Sequence, residues 1–364
     1  MRRYTVILLA ALFLHSSYLY SRDGLRPDDA DIAVRYSRSD TGRLSCLQKA
    51  DQLLDEALSF MEKNYYRKDA VGWSDLTTAA KARLYSSGSC EDAYGVISWC
   101  FGQLNETHSF LMPPEKASRY NYDTAEMQQT PALTELVGEI KGELLEDSIA
   151  YLTIPWVSTT DSLICMRIAD SLQELIARLD TRGISKWIID LRKNTGGNCW
   201  PMLAGIGPLL GNGICGYFVS ANERIPIAYR DGAAFQGRHV RCRVSNNCYE
   251  TRHASKSIVV LTGRKTVSAG EIIALAFKGR EQAALYGEPT AGLTTANATY
   301  TLSDHSMLVL TVCQEADHTG RICEGSIVPD KIIFADKPGP AVDSHGYAQD
   351  DNVKIAALNW LKSR

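Results

Sequence analysis

Three short stretches place nucleophilic, donor and acidic residues where the chain must turn sharply. In Lys265-Thr266-Val267-Ser268-Ala269-Gly270-Glu271 a serine stands between the apolar run 257–261 and the helical run 271–276. A hydroxyl at a strand-to-helix junction meets unpaired backbone N–H groups and the positive end of the helix dipole, which suits a reaction that develops an oxyanion. The same position also suits an ordinary helix N-cap, so Ser268 alone leaves both readings open. In Asp190-Leu191-Arg192-Lys193-Asn194-Thr195-Gly196-Gly197-Asn198 the paired glycines let the backbone turn and offer N–H groups to a ligand. Gly287-Glu288-Pro289-Thr290-Ala291-Gly292 forms another tight turn after Leu285-Tyr286.

In this order, and with the ending Glu324-Gly325-Ser326-Ile327-Val328-Pro329-Asp330, the chain from about residue 149 to 330 resembles the catalytic core of the S41 serine peptidases. These include the C-terminal processing proteases and the tricorn core protease. The resemblance implies a crotonase-like β-β-α spiral core with Ser268 as nucleophile. One branch of the family uses a lysine that follows Gly-x-x-Thr-x-Gly, but here that position holds Leu293. The other branch uses a histidine, and His108 in Leu104-Asn105-Glu106-Thr107-His108-Ser109-Phe110 resembles its histidine element. The same resemblance implies Glu324 as the acid behind the imidazole and Thr107 as a hydroxyl linking base and acid. Backbone N–H groups of Gly196 or Gly197 and of Ala269 are the expected oxyanion hole. Acyl transfer of this kind needs no metal and no organic cofactor.

The elements that must position these groups fall into two parts. Leu44, Leu47, Leu54, Leu58 and Met61 recur at helical spacing, a second helix is expected over 74–85, and Ser89 caps a third. From about residue 130, β-rich runs alternate with helical ones, which predicts an α/β core with both sheet faces covered. The expected organisation is a signal over 1–21, an N-terminal helical domain over 22–125 carrying the histidine loop, and an α/β peptidase core over 126–364. About 25 residues separate the bundle from the core, too few for the PDZ domain of the processing proteases. His108 lies 160 residues before Ser268, so the helical domain must pack on the core, with residues 105–113 crossing the mouth of the cleft.

Composition excludes other classes. In 364 residues, 39 basic and 42 acidic side chains give a net charge of −3, with no Lys/Arg stripe to bind nucleic acid. Arg2 and Arg3 precede the apolar run Tyr4–Leu14, which reads as an export signal and is too short to span a bilayer. No other stretch qualifies as a span, so a periplasmic or extracellular protein with no stable membrane span after signal removal is expected. Export permits disulfides among the ten cysteines, and Cys242–Cys248 is the expected pair. Free thiols, or zinc with His239 and His253, are the alternatives there. The partner expected is a peptide or protein substrate. Two rival readings remain: a narrow-specificity peptidase of the nisin-resistance type, and a non-catalytic ligand-binding module on the same fold.

Overall fold

Leu54, Ala57, Leu58 and Met61 lie along one buried face of helix α1 (Tyr36–Asn64). They pack on Leu76, Ala80 and Leu84 of α2 (Trp73–Ser87) and on Val96, Ile97 and Phe101 of α3 (Ala93–Gln103). The computed structural model describes residues 36–87, 89, 92–120, 133–145, 148–180, 184–245, 247–253, 256–334 and 351–364. The expected signal over 1–21 and the expected domain boundary at 125/126 lie outside the described residues.

Strand β1 (Phe110–Met112) follows the histidine loop, and short helices α4 (Pro114–Tyr120) and α5 (Leu133–Leu136) come after it. A six-stranded sheet then forms from β2 (Gly142–Leu145), β3 (Ile149–Thr153), β4 (Lys186–Asp190), β9 (Ser257–Thr262), β10 (Ala283–Gly287) and β13 (Lys331–Ile332). Its order is β13-β10-β9-β4-β3-β2, parallel except for the β2–β3 pair. Alternation along the strands divides the two faces. Ala150, Leu152, Ile189 and Val260 face α6 (Ser162–Leu179), α7 (Cys199–Leu210) and α8 (Ala269–Phe277). Tyr151, Ile188, Val259 and Leu261 face Val353, Ala357 and Leu361 of α9 (Asn352–Lys362). Both faces are covered, as a parallel sheet requires.

The second sheet contains β5 (Gly213–Val219), β6 (Arg224–Arg230), β7 (Ala233–Gln236), β8 (His239–Arg243), β11 (Thr295–Thr301) and β12 (Met307–Ala316), with β1 added at its edge. Strand β1 pairs antiparallel with β12, Phe110 opposite Val309 and Met112 opposite Met307. Leu308 and Leu310 of β12 complete the core of the helical region. The histidine loop is therefore fastened to the core on both sides, by strand pairing after it and by helix packing before it.

The expected Cys242–Cys248 disulfide is absent: both are free thiols. Cys242 is 7% exposed because β8 turns it into the core beneath α6 and α7, whereas Cys248 lies at the margin of that core. Proximity in sequence was outweighed by the inward face of the strand. Cys46, in contrast, is disulfide-bonded. Among the described residues no group of three or more His, Cys, Asp or Glu side chains is placed to hold a metal, and no helix is long and apolar enough to cross a membrane.

Candidate active site

Ser268 is the N-cap of α8 and is held at φ 49° and ψ −108°. A side chain in this region costs on the order of 1–3 kcal/mol and persists only where its surroundings over-determine it. The surroundings here are a set of hydrogen bonds. Val267 N donates to Asn194 O (3.0 Å), Ala291 N to Thr266 O (3.0 Å), and Ser268 N to Glu271 Oε2 (2.7 Å). The Glu271 carboxylate also accepts from Leu293 N (2.9 Å), Gly292 N (2.8 Å) and the Thr290 hydroxyl. Burial pushes Glu271 up to about 6, against the pull of all four donors. One carboxylate thus ties the nucleophile turn to the segment 290–293.

Asn194 joins the glycine loop to that turn. Its amide Nδ2 donates to Ile154 O and Pro155 O, while Oδ1 accepts from Gly196 N at 2.9 Å. The Gly196 N–H is therefore occupied. Gly197 sits at φ 105°, where an added Cβ would lie 1.8 Å from Val157 O, so only glycine fits. Ala269 is the first residue of α8, where a helix leaves its N–H groups without i−4 acceptors. Of the three expected oxyanion residues, Gly196 has its N–H taken by Asn194. A cavity of about 160 Å³ lies against this loop, lined by Lys141, Thr153, Trp156 and Lys193 among others.

His108 is 1% exposed, on a loop built by its neighbour Glu106. The Glu106 carboxylate accepts from His108 N (2.7 Å), Ser109 N (3.0 Å) and Thr311 Oγ1 (3.2 Å). Asn297 Nδ2 donates to His108 O (2.9 Å), so β11 and β12 both grip the loop. On the ring, Nδ1 lies 2.7 Å from Thr295 Oγ1, and Nε2 is buried with no hydrogen-bond partner. Burial, with no carboxylate against the ring, pushes the imidazole down to about 4. The ordinary histidine range near 6.5, which sequence alone would assign, is displaced by desolvation.

Two expected site residues are not brought to the imidazole. Thr107 is exposed, and the hydroxyl that meets the ring comes from Thr295 at the start of β11. Glu324 is exposed and accepts from Gln314 Nε2 at 3.3 Å. Gln314 stands directly opposite Thr295 in the β11–β12 register, and no hydrogen bond joins Glu324 to the His108 ring. Neither the Thr295 contact to the ring nor the shared anchoring by Glu271 is signalled by the sequence. A threonine opening a strand carries no signal of its own. The Glu271 side was readable only as part of the Ser-Ala-Gly-Glu turn.

The Peptidase family S41 profile matches residues 148–333, the stretch that holds the glycine loop, the nucleophile turn and the loop after β12. The nisin-resistance protein of Lactococcus lactis subsp. lactis is 28% identical over 261 residues, 71% of this chain and 74% of that protein. Among solved structures, a lipoprotein from Streptococcus agalactiae superposes with a TM-score of 0.64 at 22% identity, covering 86% of this chain and 96% of that one. The photosystem II D1 C-terminal processing protease superposes with a TM-score of 0.52 at 14% identity, covering 78% and 93% of the two chains. With more than half of its length matched and its fold shared, the chain belongs to peptidase family S41 and is a serine peptidase.

Proposed function

We propose that the protein is an exported endopeptidase that cleaves peptide bonds with Ser268 as nucleophile and His108 as general base. The observation that carries this reading is that the sequence's two candidate residues each have a costly local geometry suited to the role. Ser268 is held at positive φ on a helix N-terminus, and His108 is buried with Nε2 unpartnered. In the reaction, Ser268 Oγ attacks the scissile carbonyl carbon as its proton passes to His108 Nε2. Gly197 and Ala269 N–H groups take the oxyanion. The C–N bond then breaks as His108 protonates the leaving amine, and water releases the acyl group by the same steps in reverse. No hydrogen bond joins Ser268 to His108 in the resting site, which is usual before substrate tightens it.

Export is supported by likeness to a lipoprotein and to a nisin-resistance protein. The second likeness also favours a narrower reading, in which the substrate is a small antimicrobial peptide. The test is covalent labelling of the purified protein by a fluorophosphonate probe. Ser268 should be the labelled residue, and Ser268→Ala should lose labelling while keeping its melting temperature. Labelling that persists in that variant, or none in the native protein, would overturn the mechanism.

A further inference from the structure

We propose that Thr295 is the residue that orients His108, accepting a hydrogen bond from Nδ1–H so that Nε2 is left as the base, while Glu324 stands off the ring. This rests on the Ser–His reading above and deepens it. A neutral imidazole carries one N–H, and its position is set by the bond the other nitrogen makes. Thr295 Oγ1 at 2.7 Å is the only group hydrogen-bonded to the ring among the described residues. Were Thr295 the donor, Nε2 would carry the proton and become a buried donor without an acceptor, facing a nucleophile it could not deprotonate. With Nδ1–H donating, Nε2 is an unpaired acceptor, which is what a base awaiting the serine proton must be.

Thr295 is well placed for the task. It opens β11, whose third residue Asn297 holds the His108 carbonyl, so one strand fixes both the ring and the backbone of the base. Next to it, Thr294 Oγ1 donates to Cys323 O (3.0 Å) and Gly325 O (2.9 Å), which locks the start of the strand to the loop carrying Glu324. Two residues back, Leu293 N is held by Glu271, the carboxylate that also holds Ser268 N. Nucleophile and base are thereby referred to one short segment, 290–295.

An uncharged orienter has a consequence that a carboxylate would not. Glu106, on the same loop, holds the backbone of the base, and burial alone, with no charged neighbour contributing, displaces the imidazole. Among the described residues no carboxylate hydrogen-bonds the ring. The imidazolium formed during acylation therefore has no direct anionic partner, and the resting base stays neutral well below the usual histidine range.

The experiment is the second-order rate of fluorophosphonate acylation against pH, with the full chain. Native protein should hold its rate down to about pH 4–5. Thr295→Val should lose about 100-fold, the lower end of what a general base is worth. Thr295→Ser should stay within about 3-fold of native, and Glu324→Gln likewise. Thr295→Asp should move the acid limb upward, because a carboxylate favours imidazolium. Nitrogen NMR of the native protein should show His108 protonated at Nδ1. A Thr295→Val rate equal to native, an Nε2–H tautomer, or a Glu324→Gln loss as large as that of Thr295→Val would each overturn the proposal. If Thr295→Val fails to fold, the Ser and Asp variants and the tautomer still decide it. Absence of labelling in the native protein would instead fault the Ser–His reading itself.

Discussion

Glu271 and Glu315 are both fully buried acids flanking the segment 290–295, and they are accommodated in opposite ways. The Glu271 carboxylate accepts four hydrogen bonds and joins the nucleophile turn to that segment. Glu315, on β12 opposite Phe218, is stitched in only through its backbone: its N–H donates to Thr294 O and its carbonyl accepts from Cys323 N. Both of its side-chain oxygens are buried without a partner. Burial, and then the nearby Glu271 charge, hold Glu315 well above the ordinary carboxylate range. The pair shows that burial alone does not make an acid structural. Donors do, and only Glu271 has them.

The largest contrast should come from removing each in turn. Glu271→Leu strands Ser268 N, Gly292 N, Leu293 N and the Thr290 hydroxyl, and leaving such donors buried and unpaired should cost about 3–5 kcal/mol. It should also lower acylation of Ser268 more than it raises any binding constant, because the positive-φ turn loses its tether. Glu315→Leu removes a group with no partner and should be neutral or stabilising by about 1 kcal/mol. Chemical denaturation of the two variants checks both signs. Equal destabilisation would mean that Glu315 has a function in the fold that its bare oxygens do not reveal.

The pH dependence of stability should separate them next. A folded acid whose pKa lies above its unfolded value binds more protons when folded, so its contribution is fully present below about 4.5 and fades as pH rises through the folded value. For Glu271 that window is about 4.5 to 6. For Glu315 it starts at the same point and extends further upward. His108 runs the other way: buried neutral, it adds stability that is complete above about 6.5 and lost as pH falls toward 4. Glu315→Gln should therefore flatten the decline in urea midpoints that sets in above about pH 4.5. An unchanged slope there would mean that Glu315 titrates like an ordinary carboxylate.

The distinction between these acids marks the limit of what the sequence discloses. The turns at Ser268 and at Gly196-Gly197 and the buried loop at His108 are legible because each sits in a local context, a strand-to-helix junction, a paired-glycine turn or a histidine element, that a few neighbours define. The helical bundle and the α/β core are legible for a similar reason, since their apolar spacings repeat. Thr295 and Glu315 are not, because their meaning depends on which strand lies opposite. Thr295 meets a ring 187 residues earlier in the chain. The Cys242–Cys248 expectation failed on the same ground: short separation suggested a bond, and the face of β8 decided otherwise. Glu324 matched the family ending in sequence, yet its recorded hydrogen bond is to Gln314 and the ring's is to Thr295.

The smallest expected effect is also the most direct probe of how Glu315 is carried. Cys323 is half-buried on the loop after β12, and burial first, with the Glu315 and Glu271 carboxyls contributing, pushes its thiol up to about 11. Alkylation proceeds through the thiolate, so its rate at a fixed pH reports the charge nearby. If Glu315 is neutral at pH 8, replacing it by glutamine removes no charge, and the native-state alkylation rate of Cys323 should change by less than about twofold. An ionised Glu315 would hold the thiolate down, and Glu315→Gln would then speed labelling by about tenfold, the effect of one pKa unit. Glu271, ionised above about 6, supplies the internal comparison. Lowering the pH from 8 to 5 should release its contribution to Cys323, and that change should be the same in native protein and in Glu315→Gln. A pH effect that vanished with Glu315→Gln would transfer the charge from Glu271 to Glu315 and reverse the assignment of the two acids.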